Sequence, residues 1–225
     1  MSTPRGATAA SGSSSAWSTS PRRWFLADAY AGLRYLDRRP DVDGRRVALV
    51  GFSYGGMAAM YAAYAQVARS YAPKGRRFAA HVSFYGPCIV RFADSRATGA
   101  PLLMLMGARD AITDRARCAE VAGDLRGGGA SVRTITYKGA YHQWDGNWQG
   151  PFRIGRNLAP CRYWVRRDGA ARDLRTLLPL RSPLVRKITL GLCAAPEGYM
   201  IGADERVRAR SNRDVGRFLA RVFAR

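Results

Sequence analysis

Three side chains, far apart in a chain of 225 residues, have the types that nucleophilic acyl transfer needs: Ser53, Asp110 and His142. A serine hydroxyl is too weak an acid to attack a carbonyl unaided. A histidine must take its proton, and a carboxylate must fix the histidine tautomer and favour the imidazolium. Ser53 lies in Gly51-Phe52-Ser53-Tyr54-Gly55, a G-x-S-x-G sequence. That motif gains meaning only between a strand and a helix, where the serine is held at the tip of a sharp, strained turn. Here the apolar run Val47-Ala48-Leu49-Val50 precedes it and an Ala- and Met-rich run to Tyr64 follows it, so the spacing predicts strand, turn and helix. Gly51 and Gly55 are expected to remove side chains where strand and helix would collide. The backbone N–H of Tyr54, at the helix start, is expected to face a developing oxyanion. Asp114 is the rival to Asp110 for the acid. His81, the other histidine, falls inside a predicted strand and is set aside as the base.

The elements that must position these residues alternate. Residues 1–19, rich in Ser, Ala, Gly and Thr, cannot bury enough surface to order themselves and read as a disordered lead-in. Ser20-Pro21 reads as a cap and first turn of a helix running to about Arg38, and Pro40 to Gly44 as a turn into the nucleophile strand. Further strands are expected over 78–84, 101–106 and 131–137, with a helix over about 114–125 that stops at Gly127-Gly128-Gly129. A loop from Lys138 to Asp145 carries His142. The pattern predicts an α/β fold, a mostly parallel sheet flanked by helices, in one domain over 20–225. Residues 146–200, rich in Pro, Gly and Arg, read as an irregular insertion before a final amphipathic helix over 204–224. Ser53, Asp110 and His142 each follow a strand, which puts them at the C-terminal edge of the sheet. Phe52, Tyr54, Tyr141 and Trp144 flank them, either lining an acyl pocket or packing in the core; the residue types leave both open.

The formal charge of +21 raises a nucleic-acid or anionic-membrane partner. The pattern argues against it: lysine occurs only at 74, 138 and 187, and the arginines are scattered in doublets such as Arg22-Arg23 and Arg166-Arg167, without a basic block or interleaved aromatics. Solvated arginines, of the kind a GC-rich genome encodes, are the simpler reading, with no nucleic-acid partner. The four cysteines, Cys88, Cys118, Cys161 and Cys193, form no C-x-x-C pair, which argues against structural zinc. Their even number permits two disulfides with three connectivities, or four reduced thiols. No run reaches the ~18 apolar residues of a membrane span. The N-terminus also lacks the apolar core of a signal peptide, so the chain as written reads as cytoplasmic.

The stretches DVDGRRVALVGFSYGG, FYGPC, PLLMLMGARDAIT and YKGAYHQWD together resemble the dienelactone hydrolase family of α/β-hydrolases, from about Pro21 to the C-terminus and most strongly over Asp41–Asp145. The chain order Ser, Asp, His is also that of an α/β-hydrolase sheet. The resemblance implies a serine hydrolase of small-molecule esters or lactones, with Ser53, Asp110 and His142 as its triad and no metal or organic cofactor. Some family members carry cysteine where Ser53 stands. The resemblance further implies a Cys88–Cys118 bridge, with Cys161–Cys193 as the second. Paired cysteines would suit a periplasmic or secreted enzyme whose signal was lost with the N-terminus.

The front departs from the family. A complete α/β-hydrolase places strands and helices before its nucleophile strand, and only some twenty residues and one helix precede it here. The chain is therefore expected to be the C-terminal part of the fold. Its nucleophile strand should present an unpaired apolar edge open to self-association. The second backbone donor of the oxyanion hole should be missing, a loss that typically costs about 100- to 1000-fold in turnover.

Overall fold

The computed structural model describes residues 21–72 and 74–224; the expected lead-in over 1–19 and the Ser20 cap lie outside them. Helix α1 (Pro21–Leu36) leads through a single 3-10 turn (Gly44–Arg46), capped by the Asp43 carboxylate on Arg45 N–H, into strand β1 (Ala48–Phe52). The Ala- and Met-rich run after Ser53 forms helix α2 (Tyr54–Tyr61), and a separate helix α3 (Ala65–Tyr71) follows it. Tyr64 turns extended (φ −75, ψ 131) and bridges to Ala97, a distant contact that no local residue announces.

Strands β2 (Ala80–Phe84), β4 (Leu102–Gly107) and β5 (Val132–Tyr137) join β1 in one sheet of order β1-β2-β4-β5, parallel throughout, with the short β3 (Val90–Phe92) lying outside it. Every residue of β2 and β4 is buried, as expected for parallel strands covered on both faces. Helix α4 (Arg115–Gly127) crosses between β4 and β5. Its N-cap is Asp114, which accepts from Ala116 and Arg117 N–H. One face of the sheet packs Leu102, Met104 and Met106 against Met57 and Met60 of α2 and Val121 and Leu125 of α4. The other packs Val82, Phe84, Leu103 and Leu105 against the final helix α6 (Glu205–Phe223) through Val215, Phe218 and Leu219.

Helix α6 packs on β2 and β4. Val50 and Phe52, in register with Val82 and Phe84, are exposed on that face. Among the described residues β1 has a sheet neighbour on one side only.

Residues 146–200 are less irregular than their composition suggested. They hold β6 (Phe152–Ile154), β7 (Tyr163–Val165), β8 (Ala171–Asp173), helix α5 (Pro183–Cys193) and β9 (Tyr199–Ile201). β3, β7 and β8 make a small second sheet, and β6 pairs antiparallel with β9. Strands of three residues are too short to show a period of two. Ser182-Pro183, by contrast, is a legible helix start, and the Ser182 hydroxyl does accept from Val185 N–H. Disulfides join Cys88 to Cys118, tying the exit of β2 to α4, and Cys161 to Cys193, tying the approach to β7 to the end of α5. No described helix is long and apolar enough to cross a membrane.

Candidate active site

The turn between β1 and α2 holds Ser53 at φ 51 and ψ −115, a left-handed conformation that costs an L-residue about 1–3 kcal/mol and survives only where its surroundings enforce it. Two hydrogen bonds do so: Ser53 N–H donates to Phe84 O at 2.9 Å, and Met57 N–H donates to Ser53 O at 2.9 Å. The close approach rests on Gly51 and Gly56. A Cβ on Gly51 would meet Gly55 O at 2.0 Å, and one on Gly56 would meet Phe84 O at 2.5 Å. Gly55, expected to be the second small residue the turn requires, has open space where its Cβ would stand. The structure therefore moves that requirement one residue along.

The loop after β4 carries Asp110, whose side chain is wholly buried. Its Oδ1 accepts from Ile112 N–H at 3.1 Å and Thr113 N–H at 3.3 Å. Its Oδ2 accepts from the Thr113 hydroxyl at 2.7 Å and lies 2.8 Å from His142 Nδ1. Asp114 is occupied elsewhere, capping α4 and pairing with Arg162 at 3.0 Å.

His142 is buried and fixed at its backbone by the end of the small β6–β9 sheet: its N–H donates to Met200 O at 3.3 Å and its carbonyl accepts from Gly202 N–H at 3.1 Å. Its Nε2 lies 2.9 Å from Ser53 Oγ. A carboxylate at Nδ1 favours the tautomer with the proton there, leaving the Nε2 lone pair to accept from the serine. His81 lies far from this arrangement, inside the core beside Phe78, with its ring pushed down to a pKa of about 4 by burial.

Two tyrosines wall the imidazole. Tyr85, at φ 40, sets its ring 4.6 Å from that of His142, and Tyr199 packs edge-on at 5.2 Å. The Tyr85 hydroxyl donates to Asp145 at 2.5 Å, and burial first, then that carboxylate, push its pKa far up. Burial also raises Tyr199, with Tyr54 and Asp110 adding to it. Both phenols therefore stay protonated beside the imidazole at neutral pH.

Of the flanking aromatics, Phe52 is exposed and stacks on Phe84 at 4.5 Å, next to the serine. Tyr141 is half-buried beneath the Arg109 guanidinium, which donates to its hydroxyl at 3.3 Å. Trp144 is wholly buried against Phe84, Tyr85 and Tyr137, with its indole N–H on the Ser211 hydroxyl, so it supports the His142 loop from beneath. A cleft lined by Asp43, Arg46, Ala79 and Phe223 lies at the opposite end of β1 from Ser53.

A sequence model of the dienelactone hydrolase family matches residues 7–147, more than half of the chain. The chain belongs to the dienelactone hydrolase family. The match takes in Ser53, Asp110 and His142 and ends before β6. Among solved structures, this family member is similar to a dienelactone hydrolase-like promiscuous phosphotriesterase from metagenomic libraries. The TM-score is 0.55 at 21% identity, over 90% of this chain and 63% of that one. It is also similar to an α/β hydrolase from a Medee basin deep-sea metagenome library (TM-score 0.45, 21% identity, 55% of this chain and 52% of that one). A third is Thermogutta terrifontis esterase 2 phosphorylated by paraoxon (TM-score 0.46, 17% identity, 66% and 60%). The first of these likenesses shows a shared fold, and the chain spans less than two thirds of that protein's length. No curated protein sequence matches the chain.

Sequence reasoning missed Thr113, Tyr85 and Tyr199. Thr113 had a signal, because a Thr three residues after an Asp is a common local hydrogen-bond pairing. Tyr85 lay within FYGPC without a stated role. Tyr199 had no signal at all, since it reaches His142 only because β9 pairs with the His142 loop, more than fifty residues away in the chain.

Proposed function

We propose that this family member is a serine hydrolase of small-molecule carboxylic esters or lactones. One observation carries the reading: a hydrogen-bonded path runs from Ser53 Oγ through both ring nitrogens of His142 to Asp110, starting at a serine held in a left-handed turn. His142 Nε2 takes the hydroxyl proton as Ser53 Oγ bonds to the ester carbon, and the carbonyl π pair moves onto oxygen. The oxyanion forms beside the Tyr54 N–H, at the first position of α2. Its collapse breaks the ester C–O bond, and His142 returns the proton to the leaving alkoxide. Water, deprotonated by the same imidazole, then cleaves the acyl-enzyme. In this reading Phe52 and Tyr141 line the acyl site, Trp144 backs it, and residues 146–200, through Tyr199, shape its entrance within a single domain over 20–225. The two disulfides favour an oxidising compartment.

A second reading, a catalytically silent remnant of the fold, draws on the exposed edge of β1, where Val50 and Phe52 lack cover and a second copy could pair. A fluorophosphonate probe and p-nitrophenyl acetate hydrolysis separate the two. Labelling at Ser53 and turnover abolished by Ser53→Ala support the hydrolase. A folded chain that neither labels nor turns over supports the remnant. A peptidase or acyltransferase would label but show its best turnover with amide or alcohol co-substrates.

A further inference from the structure

Among the described residues, the turn after β8 and helix α5 carry the largest group of exposed aliphatic side chains: Leu174, Leu177, Leu178, Leu184, Ile188 and Leu192. Leu184, Ile188 and Leu192 recur every four residues and so form one stripe of α5, while Thr189 and Cys193 on its other side are buried and Val185 and Leu190 pack on the core. These are not grazing exposures: Leu177, Leu184 and Leu192 are 63%, 66% and 61% exposed. The turn and the helix are tied together, because Arg175 donates to Leu192 O at 3.3 Å and the Cys161–Cys193 disulfide anchors the helix end.

Leu177 adds an anomaly. It stands at φ 59, in the left-handed region that favours glycine or asparagine, at the tip of a turn held by Asp173 through Arg175 and Thr176 N–H. An exposed leucine there is costly twice over, in backbone strain and in solvation. A contact made by that side chain outside the folded chain would account for both.

The charge around the patch indicates what the contact is. From Leu174 to Pro196 there is no acidic residue, and four cations lie among the leucines: Arg175, Arg181, Arg186 and Lys187. Arg175, Arg181 and Lys187 form no ion pair among the described residues. The overall charge of +21 alone did not point to a surface, because the arginines are dispersed along the chain. The fold sets these four beside an aliphatic ridge that no described element covers. Aliphatic side chains on one face with a basic rim are what an interfacial helix presents to headgroups and the first acyl carbons of an anionic bilayer.

We infer that α5 and the Leu174–Leu178 turn dock this protein on anionic lipid surfaces, with the leucines inserted and the basic rim on the headgroups. The inference is independent of the esterase reading, and its test uses the inactive full chain. Ser53→Ala protein is sedimented with phosphatidylglycerol vesicles and, in parallel, with phosphatidylcholine vesicles, at low and high salt. The expected result is pelleting with the anionic vesicles that weakens with salt. It should fall by about tenfold in Leu184→Gln/Ile188→Gln and in Arg181→Gln/Lys187→Gln, and stay unchanged in Phe25→Gln, an exposed aromatic on α1. Leu177→Asn should also lose pelleting while its Tm holds or rises, so a folding defect cannot be the cause. No pelleting with anionic vesicles, equal pelleting with both lipids, or pelleting indifferent to the leucines would each overturn the inference. So would a dimer in gel filtration that the leucine variants split, with no vesicle binding, since the occupant would then be a second copy.

Discussion

The Thr113 hydroxyl lies 2.7 Å from the Asp110 oxygen that also holds His142 Nδ1, and it sits 3.2 Å from the Tyr85 carbonyl. The hydroxyl has one proton, and the nearer, charged carboxylate takes it, so Thr113 fixes the acid beside the strained residue that walls the imidazole. Thr113→Val keeps the shape and removes that bond. A bond to a charged acceptor is worth roughly 1.5–3 kcal/mol, so kcat for p-nitrophenyl acetate should fall at least about tenfold. KM should hardly change, because Thr113 is buried away from any bound substrate's reach. Thr113→Ser should recover most of the loss. A change confined to KM, or no rescue by serine, would count against the positioning role.

The glycines around the nucleophile should not be equivalent. Gly55→Ala fills open space and should keep activity within a few fold. Gly51→Ala and Gly56→Ala drive a methyl into backbone carbonyls at 2.0 and 2.5 Å, so both should lose the elbow and most activity. Activity and circular dichroism of the three variants decide it, and equal tolerance at all three would show that the turn relaxes.

Strain at Ser53 predicts an asymmetry between two inactive variants. Glycine adopts φ 51 freely and alanine does not, so Ser53→Gly should unfold at higher denaturant than Ser53→Ala, by about 1 kcal/mol. Chemical denaturation measures the difference, and equal midpoints would mean the backbone at 53 is unstrained.

His81 should make the fold acid-sensitive. It is buried beside Phe78, neither ring nitrogen makes a well-formed hydrogen bond among the described residues, and burial, opposed by a weaker contact with the Ala59 backbone, lowers its pKa from 6.5 to about 4. The folded state therefore refuses a proton that the unfolded chain accepts. Stability from this group is full above 6.5, where both states are neutral, and is lost as pH falls toward about 4. The loss across that window is about 3 kcal/mol. His81→Leu should flatten the stability profile between those two pH values, as read by urea midpoints. A variant profile parallel to the parent's would assign the acid sensitivity elsewhere.

Some of this was legible in the chain before any fold was known. The alternating apolar runs determined a parallel sheet with helices on its faces. The placement of Ser53, Asp110 and His142 just after strands put them forward as partners, because a residue that follows a parallel strand must emerge at one rim. These are local patterns, written within a few residues. The tertiary structure alone decided what depends on meetings across the chain: that Gly56 rather than Gly55 faces the Phe84 carbonyl, that Trp144 is sealed in the core, that Tyr85 and Tyr199 enclose the imidazole, and that three-residue strands organise 146–200. It also decided the fate of the α5 leucines. A helical period says that one face is apolar, but whether that face is covered depends on what packs over it, and over Leu184, Ile188 and Leu192 no described element does.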